Sequence, residues 1–387
     1  MKKIYAFLLG LLLAILTIYV VKLTYIPIIE NYYKRNDNSI RYSDSTDKDM
    51  NRDILISNIN DNTLVLMGSS ELIVNRDKGY QPKNYFNYED FNIMQIGGYH
   101  SQNIVHASIL SSIGEFITSK KLVIIESIQW FDKQGMKPYI AVDKISKEHV
   151  YYALKNPLLS KDTKIKLIDR IISLSWPNRN LVELYQSYKE SYLNPDKNNF
   201  INSLDIYLNS ISVKNRFFKT GIKELIPIKP GNTLSYNWSA LKEEEADKQA
   251  AISDNNSFGI DNDYFNKNLK NKFEKLKSSQ TNLTYSDSSS PEYSDMELFL
   301  QIASELGIEV EVIIQPVNGY WYDYIGFGKE KRAEAYNKIQ KIAEKYQVKY
   351  VNYADKEYEP QFMYDIMHFG AKGWLDVSEN IFDFYKN

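Results

Sequence analysis

The apolar residues of this chain change their spacing along its length, and each change predicts a different kind of element. Residues 4–21 form an apolar run without a charge, preceded by Lys2 and Lys3 and closed by Lys22. These eighteen residues, at about 1.5 Å each, span roughly 27 Å, close to the hydrocarbon thickness of a bilayer. A removable signal peptide would have a shorter apolar stretch followed by a small-x-small cleavage site. Here the run passes into Val20-Val21-Lys22-Leu23-Thr24-Tyr25. The pattern therefore predicts an uncleaved membrane anchor over residues 1–29, with a cleaved leader as the alternative. Residues 30–55 are polar, rich in Asp, Asn, Ser and Arg, and read as a linker. The folded domain is expected over 56–387.

Within that domain, short continuous apolar runs predict strands near 64–67, 92–96, 121–126, 310–315 and 348–353. Continuous rather than alternating apolar residues are what strands covered on both faces require. Helical spacing marks 101–118, 296–306 with Gly307 as its stop, 329–346 and 371–385. Residues 144–225 differ. Leu167, Ile168, Ile171 and Ile172, then Leu181, Leu184 and Tyr185, recur at helical intervals between breaks at Pro157, Pro177 and Pro195. They predict a helical insertion. Residues 229–258 read as irregular, with a charged centre at 243–247. Strands alternating with helices predict an α/β fold, a parallel five-stranded sheet covered by helices on both faces.

Composition narrows the function. The 387 residues carry 47 Lys and Arg against 49 Asp and Glu, a net charge of −2, which does not fit a nucleic-acid binder. The chain has no cysteine, so disulfides, thiol nucleophiles and thiolate metal sites are excluded. His100, His106 and His149 follow no ligand spacing, and no metal is assigned. No GxxxxGK[ST] or GxGxxG motif is present, so no nucleotide or other cofactor is expected. Two lysines precede the anchor and the polar mass follows it, which predicts a domain outside the cell.

Three groups of residues could carry chemistry. Gly68-Ser69-Ser70 ends the first predicted strand, where open parallel sheets gather their active sites. Ser70, at the start of a helix, would point its hydroxyl into the crevice. A glycine turn with a capping serine would explain this motif by itself. Asp365-Ile366-Met367-His368 sets a carboxylate and an imidazole three positions apart, one helical turn, so that the acid can orient the base. A surface aspartate and a core histidine would share that spacing. Gly98 follows the second strand and Gln129 the third. A backbone N–H and a side-chain amide there could face a developing oxyanion. Aromatics at Trp130, Tyr320, Trp321 and Tyr322, with Asn318, could line the crevice and bind substrate, or pack beneath a loop.

The order of these motifs resembles the SGNH, or GDSL-like, hydrolase superfamily: a Gly-x-Ser block, then Gly and Asn oxyanion blocks, then Asp-x-x-His. Gly68-Ser69-Ser70 stands where that pattern has Gly-Asp-Ser, and Gln129 where it has Asn. Five stretches resemble the DltD family of D-alanyl transfer proteins of lipoteichoic acid biosynthesis more closely. They are Met67-Gly68-Ser69-Ser70-Glu71, Ile128-Gln129-Trp130-Phe131, Ser290-Pro291-Glu292-Tyr293-Ser294-Asp295, the run 315–324 and Asp365-Ile366-Met367-His368-Phe369-Gly370. The resemblance implies a flavodoxin-like, three-layer α/β/α fold of the SGNH type and a Gram-positive membrane protein with a Ser70, Asp365, His368 triad. It would transfer D-alanine to a teichoic acid acceptor polymer through a D-alanyl-serine intermediate. Its partners would be a membrane acyltransferase of the D-alanylation pathway and a D-alanyl carrier protein. Hydrolysis by the same triad, or a scaffold without chemistry of its own, are the alternatives.

Overall fold

The computed structural model describes residues 2–194, 200–271, 275, 286 and 288–387. Five parallel strands form one sheet: β1 Thr63–Gly68, β2 Asn92–Gly97, β3 Lys121–Ser127, β4 Glu309–Gln315 and β5 Lys349–Asn352. Their order is β2-β1-β3-β4-β5. All five lie where the apolar runs predict them. Register is continuous, with Gly68 beside Gly97, Met67 beside Ile124 and Ser127 beside Gln315. The C-terminal ends of β1, β2, β3 and β4 therefore meet on one edge.

Successive side chains leave a strand on opposite faces. Val65, Met67, Met94, Leu122, Ile124 and Val312 join one apolar cluster. Leu64, Leu66, Ile93, Val123, Ile125 and Ile313 join the other. Helices Asn103–Ile113, Glu292–Glu305 and Lys329–Lys345 cover the first face, and Trp238–Ala250 with Ala371–Lys386 cover the second. This is the three-layer α/β/α arrangement. The insertion forms helices Lys147–Lys155, Lys161–Leu174, Arg179–Leu193 and Phe200–Thr220. Ser160 and Asn178 cap two of them by accepting from the Thr163 and Leu181 amides. Leu167, Ile168, Ile171 and Tyr185 extend the first apolar cluster, so the insertion shares the core of the sheet. Pro195, expected as a break, lies outside the described residues.

Three segments depart from the sequence reading. The N-terminal helix runs over Lys2–Tyr33, beyond the apolar run. The helical residues 3–33 contain an eighteen-residue stretch of mean hydropathy 2.6 and are long and apolar enough to cross a membrane, compatible with a single-pass anchor. Residues 38–56 are not an extended tether. They form short helices Asn38–Arg41, Thr46–Asp49 and Arg52–Ile56, with Arg41, Lys48, Ile54 and Leu55 buried. Arg41 donates from Nε to the Asn58 carbonyl at 2.7 Å, and Lys48 donates to the Ser43 and Gln95 carbonyls at 2.7 and 2.5 Å. Buried polar groups so satisfied pack like apolar ones, which composition alone does not reveal. Finally, 238–250 is helical. Its charged residues are good helix formers, and Asn237 caps it through the Ala240 amide.

Candidate active site

β1 ends at Gly68, and the chain turns at once. A Cβ at Gly68 would lie 2.5 Å from Glu71 Oε1. At Gly97, φ is +122°, and a Cβ would sit 1.9 Å from the Gly68 carbonyl oxygen, so glycine alone lets β2 end beside this turn. Ser70 opens a single tight turn, Ser70–Leu72, not the full helix expected. Its carbonyl accepts from the Ile73 and Val74 amides, and Asn75 then adopts φ +61°, which stops further helix growth. No extended helix dipole acts on Ser70.

Asp365 and His368 do not share a helical turn either. They lie in a loop closed by the antiparallel pairing of Met363 with Phe369, with the Tyr364 amide donating to the His368 carbonyl at 2.8 Å. Asp365 Oδ1 accepts from the Met367 and His368 amides at 2.8 and 2.9 Å. This side-chain turn competes with the helical alternative and still leaves Oδ2 free for the ring. Four other parts of the fold hold the loop. Gln249 donates to the Met363 carbonyl at 2.9 Å, and Gln315 donates to the Met367 carbonyl. The Asn318 and Asp261 amides donate to Ile366 and Tyr364 at 3.0 and 2.9 Å.

So held, His368 Nδ1 lies 2.7 Å from Asp365 Oδ2, and His368 Nε2 lies 2.8 Å from Ser70 Oγ. Asp365 is 1% exposed, Ser70 6% and His368 9%. With Nδ1 keeping its proton and donating it to the Asp365 carboxylate, Nε2 is the acceptor facing the serine hydroxyl. Burial disfavours the imidazolium, but the Asp365 charge and hydrogen bond, helped by Glu71, outweigh it and hold the His368 pKa above its ordinary value of 6.5. The three groups are arranged to move a proton from serine to histidine.

The two oxyanion candidates differ. The Gly98 N–H donates to Ser101 Oγ at 3.2 Å instead of facing an open crevice. Gln129 Nε2 is buried and has no hydrogen-bond partner among the described residues. An unmade bond of this kind costs about 1–3 kcal/mol, and such atoms call for an explanation. Gln129 lies in the tight turn Ile128–Trp130 after β3. The Trp130 ring meets His100 edge-on at 5.6 Å, so the loops after β2 and β3 join across the end of β1.

The aromatic run is corrected. Trp321 and Tyr322 are buried in the first apolar cluster, Trp321 packing edge-on against Phe258 at 5.2 Å. They lie in the short helix Gly319–Tyr324, which turns them inward. Asn318 caps that helix through the Trp321 amide and donates to the Phe258 carbonyl at 2.8 Å, which commits its side chain to structure. Tyr320 alone of this run is exposed, against Tyr358.

Several residues beneath the site were missed. Glu71 is buried, accepts the Ser69 amide through Oε1 at 2.5 Å, and has its pKa raised by burial. Glu292 Oε1 accepts the Asn103 amide at 2.8 Å, and Asn103 Nδ2 reaches Glu126 Oε2 at 3.1 Å. Asp295 binds Arg170 at 2.8 Å. The run 290–295 thus ties helix Glu292–Glu305 to the sheet edge. Isolated acids in apolar helices were the signal available. Gln249 had none, since it sits in the segment read as irregular.

A match to the family described as DltD protein covers residues 40–386. "Protein DltD" of Bacillus subtilis (strain 168) is 31% identical over 337 residues, 84% of this chain and 82% of that protein. "Protein DltD" of Staphylococcus aureus (strain NCTC 8325 / PS 47) is 27% identical over 327 residues, 82% and 79%. A match that runs through the sheet, the insertion and both halves of the triad covers all that builds the site: this chain belongs to the DltD family.

Proposed function

We propose that this protein is an extracytoplasmic serine acyltransferase that moves D-alanine onto a teichoic acid hydroxyl through a D-alanyl-Ser70 ester. The observation that carries the reading is the Ser70–His368–Asp365 alignment at 2.8 and 2.7 Å. Membership of the DltD family, whose proteins act in teichoic acid D-alanylation, supports the choice of substrate. His368 Nε2 takes the Ser70 proton as Oγ attacks the D-alanyl carbonyl. The Gln129 amide donates to the oxyanion. The donor's leaving group departs with the proton from His368. A polymer hydroxyl then gives its proton to His368 and attacks the acyl-serine, and Ser70 Oγ leaves with that proton. One ester replaces another, so no ATP is required. The apolar helix at the N-terminus would hold the domain on the outer face, beside a membrane acyltransferase and within reach of a D-alanyl carrier.

The test uses Ser70→Ala as the only copy in cells. Envelope D-alanyl esters should fall to the level of a strain lacking the protein, and a fluorophosphonate probe that labels the native chain should leave the variant unlabelled. Normal ester content in that strain would end the catalytic reading and favour a scaffold.

A further inference from the structure

Helix Phe200–Thr220 carries two apolar stripes, and the fold buries only one. Ile206, Val213 and Phe217 are buried. Roughly 160° around the helix, at 100° per residue, Ile201, Leu204, Tyr207 and Leu208 are 80%, 44%, 50% and 57% exposed. Single exposed apolar residues are ordinary on a protein surface, but a contiguous stripe marks a contact.

The place of this helix says what the contact is. Tyr25 of the N-terminal helix donates to Asn215 Oδ1 at 2.5 Å. The rings of Tyr25 and Tyr32 both lie against Phe218, at 6.5 and 5.0 Å. Those tyrosines are about 10 Å apart along their own helix, so the two helices cross instead of running side by side. A cavity of 390 Å³ beside the crossing is walled by Ile26 and Ile29 of the N-terminal helix and by Tyr207 and Ile211 of the other. Tyr207 of the exposed stripe therefore opens onto the same space as the N-terminal helix. Tyr25 stands about 6 Å beyond Val21, within the headgroup layer that borders the hydrocarbon core. The outward residues Leu23 and Ile28, 57% and 54% exposed, carry the apolar surface of the spanning helix up to this crossing.

We propose that Phe200–Thr220 is a second membrane-contacting element, lying in the lipid surface from which the anchor emerges, with Ile201, Leu204, Tyr207 and Leu208 against lipid. Apolar burial of 5–10 Å into the headgroup boundary is the usual depth of such helices, and tyrosine is enriched there. The proposal rests on the reading of residues 4–21 as a membrane anchor. Anchor and surface helix together fix the domain at two points. They set the height and tilt of the Ser70 crevice over the bilayer, which suits an acceptor polymer tethered to the membrane.

Because the chain has no cysteine, single-cysteine variants of the full-length protein can be labelled cleanly with an environment-sensitive fluorophore. Leu16→Cys, Leu208→Cys and Lys331→Cys are reconstituted into phosphatidylglycerol and phosphatidylcholine vesicles, with or without lipids spin-labelled on the acyl chain. Lys331 is exposed on helix Lys329–Lys345, which packs on β4 and β5 at the sheet edge opposite β2. Quenching at Leu208→Cys should exceed that at Lys331→Cys by about threefold or more, with emission shifted to the blue. Equal, weak quenching at 208 and 331 while position 16 is quenched would overturn the surface helix alone. An unquenched position 16 would overturn the anchor reading and the surface helix with it. A blue shift at 208 that requires crowded vesicles would assign the stripe to a second copy and also overturn the proposal.

Discussion

At the scale of single residues, the decisive quantity is where protons sit. His368 must be neutral to accept the Ser70 proton. Burial, which favours the neutral ring, is outweighed by Asp365 and Glu71, so its pKa stands above 6.5. The rate of Ser70 acylation should therefore fall as pH drops through that raised value. Asp365→Asn removes the charge and the tautomer control, so the acid limb should move to lower pH while the plateau rate drops by on the order of 10³–10⁴-fold. Probe-labelling rates measured across pH check both. An unmoved acid limb would mean that another group controls it. Gln129→Leu should cost about 10²–10³-fold in rate with Tm unchanged or raised, because its buried Nε2 has no hydrogen-bond partner among the described residues. Glu126 gives a stability prediction. Burial pushes its carboxyl up to about 8, against the Asn103 hydrogen bond, with the Glu71 charge adding to the rise. Below the ordinary value of 4.5, folded and unfolded chains both hold the proton. Between about 4.5 and about 8 the unfolded chain releases it first, so stability falls as pH rises, by about 1.4 kcal/mol per unit of pKa difference. Glu126→Gln should raise Tm at pH 8 and leave it nearly unchanged at pH 4. The same shift at both values would point to packing instead of charge.

At the scale of elements, the site is a loop problem. Ser70 sits on a turn at the end of β1, and His368 on a loop that has no regular structure of its own. Asn318 illustrates how such a loop is held: it caps one helix, ties down Phe258 and binds Ile366 through its amide. Asn318→Ala should lower stability by about 1–2 kcal/mol through loss of the cap and leave the probe's apparent affinity unaltered. Tyr320→Ala, at an exposed position, should change stability by no more than about 0.5 kcal/mol. Denaturation midpoints and labelling kinetics separate the two effects. A changed affinity with unchanged stability in Asn318→Ala would return that residue to the substrate site. The strands were legible because continuous Val, Ile and Leu runs are demanded by burial on both faces, and every predicted strand is present. The helix Trp238–Ala250 was not legible. Its partners in the C-terminal segment lie more than a hundred positions away, where Gln249 meets Met363 and Ala371 and Lys242 meets Glu379.

For the whole molecule, the segment between the N-terminal helix and the sheet belongs to the fold. Asp49 accepts the Gly97 amide at 2.9 Å, and His149 contacts the Asp49 carbonyl at 2.8 Å, joining this segment to β2 and to the insertion. A form beginning at residue 34 should fold cooperatively. One beginning at residue 57 should expose Gln95, Gly97 and the cluster around Phe217, and be recovered unfolded or aggregated. Circular dichroism melts of the two forms check this, and an equally cooperative melt of the shorter form would restore the linker reading. What the sequence by itself determined are the features set by local spacing: the apolar N-terminal run, the five buried strands, most of the helices, and the residue types that could make a triad. Those depend on periodicity and on strand ends, which a chain displays without folding. Tertiary structure alone decided that Ser70 meets His368 across 298 positions, that Trp321 and Tyr322 turn into the core, and that the Gly98 amide is spent on Ser101 while Gln129 Nε2 has no partner among the described residues. Each of these depends on which distant group supplies or withholds a hydrogen bond or a packing surface, and such pairings arise only once the chain has closed on itself.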